Sequence, residues 1–178
     1  MARKGDDMSD DGIYLRPVGR VRSPRVTKDD DFWDDVEAVI EFDGAYFEPA
    51  ALWGLDQFSH AEIIFQMDKV NPAAIETRAR HPRDRADWPL VGIFAQRAKA
   101  RPNRLGVSCC EILAVEGLRL FVRALDAIDG TPVLDVKPYL EEFGPRGMVR
   151  QPEWSRAVMK DYYRSSIERK LPDKSNSI

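Results

Sequence analysis

The sequence predicts a mainly β fold: short strands forming an antiparallel barrel or sandwich, with one short helical turn and a C-terminal amphipathic helix. Three observations carry that expectation. Short alternating or wholly apolar runs recur, as in Val36–Phe42, Ala61–Met67 and Val107–Val115; a strand reads this way because successive side chains face opposite sides. Turn pairs punctuate them, at Asp43-Gly44, Glu116-Gly117 and Asp129-Gly130, residues that supply the backbone angles of tight turns. Near the C-terminus the spacing changes, with Trp154, Val158 and Tyr162 four residues apart and charge between them, one face of a helix.

Taken in order, residues 1–12 carry charge without an apolar core, so they read as a disordered tail and not a secretory signal. Ile13–Val21 is a first strand, at an edge or bulged because Pro17 cannot donate to a ladder. Ser23-Pro24 ends it. Arg25–Asp35 is a polar, acidic loop holding Phe32 and Trp33. These aromatics either form a lid or docking surface or fold back onto the core, the commoner outcome. Val36–Phe42 is the next strand. Phe47–Leu55 suits a short helical turn with Pro49 near its start, and Ala61–Met67 follows as a strand. Asn71–Trp88 has no clean period and is rich in Pro, Arg and Asp, which reads as a functional loop more than a connector. Leu90–Ala95 is wholly apolar and predicts a strand buried on both faces. In the next loop Pro102 stiffens the chain and Gly106 lets it turn. Val107–Val115 and Leu118–Leu125 form a hairpin about Glu116-Gly117, and Thr131–Val136 is the last strand. Pro152 opens a helix running to Lys170, before a polar tail, Leu171–Ile178. The expected organisation is a tail (1–12), a barrel domain (13–142) and a C-terminal helix with its tail (143–178).

A chain of 178 residues fits one domain able to bury a core without staples. With 43% apolar and 32% charged residues and no long apolar run, it reads as a soluble cytoplasmic protein, without a membrane helix. The two cysteines are adjacent, Cys109 and Cys110; Cα atoms about 3.8 Å apart disfavour an ordinary disulfide, and in a strand the thiols face opposite ways. With two histidines besides, a Cys/His metal site is not expected. The net charge of −3 argues against a general nucleic-acid binder, but the charge is uneven. Residues 6–11 and 28–37 are acidic, whereas Arg78, Arg80, Arg83, Arg85, Arg97, Lys99, Arg101 and Arg104 face only Asp84 and Asp87 in their stretch. Such a stripe serves a polyanion or is a solvated loop.

Chemical motifs narrow the reading further. Asp56, Ser59 and His60 have the residue types of a hydrolase triad but sit too close together, without a Gly-x-Ser-x-Gly elbow. Neither a dinucleotide-type glycine fingerprint nor a P-loop is present. Arg97, Arg101, Asn103 and Arg104 remain, on one loop between apolar strands. They make either a donor-rich wall for a carboxylate, phosphate or ribose or a decorated surface turn. The Asp129-Gly130-Thr131-Pro132 turn has backbone groups of the kind that edge an adenine. Asp135, Lys137 and Tyr139 alternate and so share one face of the last strand.

These residues also carry a family resemblance. The blocks Val18-Gly19-Arg20-Val21-Arg22-Ser23-Pro24, Leu55-Asp56-Gln57-Phe58-Ser59-His60, Gly92-Ile93-Phe94-Ala95-Gln96-Arg97, Arg101 to Ser108 and Leu125 to Tyr139 resemble the TsaA-like, or TrmO, family of S-adenosylmethionine-dependent methyltransferases. The resemblance implies a small antiparallel β-barrel, a homodimer, and methyl transfer to N6 of a threonylcarbamoylated adenosine beside the tRNA anticodon. It places donor binding at Asp68, Lys69, Arg97, Leu105, Asp129, Gly130, Thr131 and Pro132. Arg101, Asn103 and Arg104 fall on the substrate side, and Asp135, Tyr139 and His60 are candidates for the base. From the residues themselves, neither a metal nor a membrane partner is expected. Alternatives are a methyltransferase of a small molecule and a non-catalytic module that binds S-adenosylmethionine or RNA. The chain departs from the family where a Pro-Arg-Gln-like element is replaced by residues 26–33 and where Asn-Pro-Ile-Gly becomes Asn103-Arg104-Leu105-Gly106. It also has one expected helix in place of the extra C-terminal domain of longer members.

Overall fold

The computed structural model describes residues 12–165. Its strands are β1 (Gly19–Arg22), β2 (Glu37–Phe42), β3 (His60–Gln66), β4 (Ala79–Arg80), β5 (Val91–Gly92), β6 (Leu105–Glu116), β7 (Arg119–Arg123) and β8 (Pro132–Pro138), followed by helix α1 (Glu153–Val158). Six strands close an antiparallel barrel in the order β1-β2-β7-β6-β3-β8, and β8 pairs back onto β1 through Gly19↔Val133 and Arg20↔Pro132. Closure pairs every strand on both sides and leaves no barrel edge open.

Alternation builds the core. Val21, Ala38, Ile40, Ala61, Ile63, Phe65, Cys110, Leu120, Val122 and Val133 are all buried, and their strand neighbours are partly or fully exposed, except Pro132, buried beside Val133. Leu52, Leu125 and Ala127 join the same core from outside the strands. Phe65 is paired with Gly106, where a Cβ would lie 2.3 Å from the ring. Gly106 therefore makes room for a large side chain within β6; it does not turn the chain, as its position beside the loop suggested. The adjacent thiols divide as a strand requires, with Cys110 buried and Cys109 exposed, both free.

Other expectations change. The first strand is shorter than Ile13–Val21: Ile13, Tyr14 and Leu15 are exposed, because pairing with β2 begins at Gly19. Leu90–Ala95 is not a strand buried on both faces. Val91–Gly92 bridges to β4, Ile93–Ala95 is a 3-10 turn, and Leu90 and Phe94 are 62% and 76% exposed. The helix expected over Pro152–Lys170 is limited to Glu153–Val158 and followed by turns; its last expected residues, the tail at 171–178 and nearly all of the N-terminal tail lie outside the described residues. Trp33 takes the commoner course and folds inward, at 3% exposed.

Strand direction gives the barrel two unlike mouths. Connections 23–36, 67–104 and 124–131 all emerge at one. At the other lie connection 43–59, the short link between β6 and β7, the start of β1 and the end of β8.

Candidate active site

A cleft of about 490 Å³ opens at the mouth where connections 23–36, 67–104 and 124–131 emerge, a size typical of small-molecule sites. Phe65 and Met67 at the end of β3, Trp33 from the first connection, and Ala127 and Ile128 from the last give it apolar surface; Trp154 and Val158 of α1 add to it. Charge enters from every side, through Asp29, Asp30, Asp68, Lys69, Arg80, Arg83, Arg97, Lys99 and Asp126.

The two opposite charge blocks of the sequence meet across this mouth. Arg83 grips Asp31 with both terminal nitrogens, at 2.7 and 2.5 Å, and Lys99 reaches Asp30 at 3.0 Å. The hydrogen-bonded Asp31 carboxylate holds the Arg83 guanidinium above its ordinary range. Lys28 donates to the Lys69 carbonyl at 2.8 Å. Arg80 and Arg85 pair with Asp84 and Asp87. Arg97, Arg101 and Arg104 donate instead to the carbonyls of Val107, Gln96 and Val70, so their positive charge is not cancelled by those contacts. Much of the basic stripe is therefore an internal clasp.

Buried hydrogen bonds shape the interior. Gln96, 8% exposed, donates through Nε2 to Arg80 and Val91 carbonyls at 3.0 Å each, pinning both sides of the β4–β5 ribbon. The Asp126 carboxylate accepts from Ser108 Oγ at one oxygen and from Tyr162 Oη at the other. Burial and then the Asp126 charge push the Tyr162 phenol far above its usual range, so it stays protonated and donates. The segment following α1 is also held by backbone, with Phe32 N–H donating to Asp161 O at 3.0 Å and Trp33 N–H to Tyr162 O at 2.9 Å.

The expected site residues divide between the mouths. Asp68, Lys69, Arg97 and Thr131 line the cleft. Leu105, Asp129, Gly130 and Pro132 are not among its lining residues but adjoin that mouth. The Asp129–Pro132 turn is locked onto β1: Asp129 N–H donates to Arg25 O, Gly130 N–H to Val21 O, and Asp129 Oδ1 accepts from Ser23 N–H at 3.1 Å. Those two amides are engaged within the fold, which leaves the Thr131 side chain facing the cleft wall. Arg101, Asn103 and Arg104 form a turn beside the cleft, outside its lining. Arg104 has φ 52°, which a proline, fixed near −65°, cannot adopt; its carbonyl and guanidinium brace Met67 and Val70. His60 and Tyr139 stand at the opposite mouth, where Tyr139 N–H donates to His60 O at 2.9 Å. Asp135, midway along β8, pairs with Lys137 at 2.5 Å. Residues the sequence did not single out for the site are Trp33, Phe65, Arg83, Gln96, Asp126 and Tyr162. For Asp126 the available signal was a charged residue between the apolar Leu125 and Ala127.

Among the described residues no three His, Cys, Asp or Glu side chains gather to hold a metal ion, and no helix is long and apolar enough to cross a membrane. Fold and cleft together define a small closed-barrel protein with a mixed apolar and charged cleft at one mouth. The chain belongs to the tRNA-methyltransferase O N-terminal domain family, whose pattern matches residues 22–144. A Methanothermobacter thermautotrophicus protein named as a probable S-adenosyl-L-methionine-binding protein is 37% identical over 144 residues, covering 79% of this chain and 99% of that one. The human tRNA (adenine(37)-N6)-methyltransferase is 35% identical over 102 residues, which cover 57% of this chain and 23% of the human protein. A crystal structure of TrmO from Pseudomonas aeruginosa superposes with a TM-score of 0.64 at 26% identity, over 80% of this chain and 62% of that one. The chain thus spans nearly all of the archaeal relative but under a quarter of the human enzyme.

Proposed function

We propose that this protein is an S-adenosylmethionine-dependent methyltransferase acting on adenine N6 in tRNA, with the threonylcarbamoylated adenosine beside the anticodon as acceptor. The observation that carries the reading is the open-mouth cleft, built in a family member from Asp68, Lys69, Arg97 and Thr131 around an apolar floor. The residues fit such a donor. Asp68 Oδ1 and Arg80 Nε are buried without a hydrogen-bond partner, leaving an acceptor and a donor beside a cleft with enough apolar surface for an adenine. Arg97 supplies positive charge for a carboxylate. Leu105, Asp129, Gly130 and Pro132 support this wall from behind.

When bound in this cleft, S-adenosylmethionine would supply an electrophilic methyl group, whose transfer to N6 would leave the C–S electron pair on sulfur and release one N6 proton. The chain contributes mainly position, by holding both reactants in line and excluding water. The clasped loops Asp30–Lys99 and Asp31–Arg83 keep the walls in place, and Arg101 and Arg104, with Asn103 between them, offer donors to a tRNA backbone. In a homodimer, His60, Asp135 and Tyr139 of one copy would serve the cleft of the other as candidates for the base, since the barrel separates them from their own.

Calorimetry with S-adenosylmethionine tests the donor half; no binding at millimolar donor overturns it. Mass analysis of tRNA nucleosides from a deletion strain tests the acceptor, with loss of N6-methylated adenosine expected. Light scattering tests the dimer. A second reading, a module that binds the donor without catalysis, is favoured by one observation: the archaeal relative covered almost end to end is named for binding alone. Unchanged tRNA modification despite donor binding would select it, or a small-molecule acceptor.

A further inference from the structure

We infer that Asp126 is the seat of the donor's positive sulfur and that Tyr162, from the segment after α1, is the residue that positions it. The inference rests on the donor reading above.

Asp126 lines the cleft among Phe65, Trp33, Ala127 and Ile128. Its two oxygens accept hydrogen bonds from neutral hydroxyls, Ser108 and Tyr162. Among the described residues no Lys, Arg or His forms an ion pair with it, whereas Asp30, Asp31, Asp84 and Asp87 at the same mouth all have cationic partners. A carboxylate bonded only to neutral donors has no cation beside it to offset its charge, and partial burial against apolar walls strengthens its field. A sulfonium is a fixed cation with no N–H to donate. It gains from a nearby anion and from aromatic faces, and this wall offers both. Transfer turns the sulfonium into a neutral thioether, so the same carboxylate holds the reactant more strongly than the spent donor.

Tyr162 fixes the direction of that charge. The phenol reaches Asp126 across 36 positions of sequence, and the carbonyls of Asp161 and of Tyr162 itself accept from the Phe32 and Trp33 amides. Residues 151–162 lie beyond the family match, which ends at 144. The carboxylate is thus presented by the barrel but aimed by a segment outside the family pattern.

The test compares two ligands that differ at the sulfur charge, S-adenosylmethionine and neutral S-adenosylhomocysteine, by calorimetry on the full chain. In the wild type both bind. Asp126→Asn is expected to weaken S-adenosylmethionine about tenfold or more while changing S-adenosylhomocysteine less than about threefold. Tyr162→Phe keeps the charge and loses its anchor; it is expected to weaken S-adenosylmethionine about threefold, again with the thioether spared. Equal losses for both ligands, or none, in either variant that melts as a folded protein would overturn the inference. Should Asp126→Asn fail to fold, the ligand ratio of Tyr162→Phe decides alone. Wild-type protein that binds neither ligand overturns the donor reading itself, a result distinct from an unchanged ratio.

Discussion

The two mouths of the barrel use the same strands to opposite ends. At one mouth lie connection 43–59 and the short link between β6 and β7, and Tyr139 and His60 are joined there through backbone. At the other, the open mouth, three connections and the segment around α1 converge, held by charge pairs, a buried glutamine and a carboxylate–phenol contact. Connections can carry polar groups that the ladders do not need, and here they gather at one rim. The strands close the barrel, and the polar cross-links between connections belong to the cleft.

Phe65 is the residue that joins the two, as core side chain and cleft lining. Phe65→Ala is expected to destabilise by about 3–5 kcal/mol in urea unfolding and to abolish donor binding together with it. A loss of binding without loss of stability would break the separation at its joint. The alkaline limb comes next. Cys110 and Tyr162 are both held protonated by burial first and the Asp126 charge second, while the unfolded chain releases those protons at ordinary pH values. Stability is therefore complete below about pH 8.5 and falls as pH rises, by about 1.4 kcal/mol per pH unit for Cys110 alone. Thermal melts from pH 7 to 11 measure this, and a flat profile would contradict the burial of both groups. Arg97→Ala is expected to weaken donor binding about tenfold, near 1.4 kcal/mol, with an unchanged melting temperature; His60→Ala at the other mouth leaves donor affinity as it was. Trp53, 82% exposed, gives the smallest effect: Trp53→Ala shifts stability by less than about 0.5 kcal/mol, and a larger loss would mean that this side chain is covered.

The barrel strands were largely legible because alternation is a local signal. β2, β3 and β6 follow their apolar periods to within a few residues. Ile13–Leu15 and Leu90–Ala95 misled because apolar composition does not say whether a partner strand exists. Asp68, Lys69, Arg97 and Thr131, expected together from family positions, line one cleft. Arg101 and Arg104 have a bracing use that composition does not reveal: each donates to a backbone carbonyl within the same connection, 67–104. Asp126 with Tyr162, and Asp31 with Arg83, were not legible. Each pair joins segments 36 and 52 positions apart, and that proximity exists only once the barrel has closed.

Residues 151–162 also bear on where this domain should be said to stop. Cutting at residue 144, the edge of the family match, would spare every strand and still remove Trp154, Val158 and Tyr162 from the cleft wall. A chain shortened there is expected to keep its barrel and lose a side of its binding site. For this protein, the boundary drawn by likeness and the boundary of the working unit are different places.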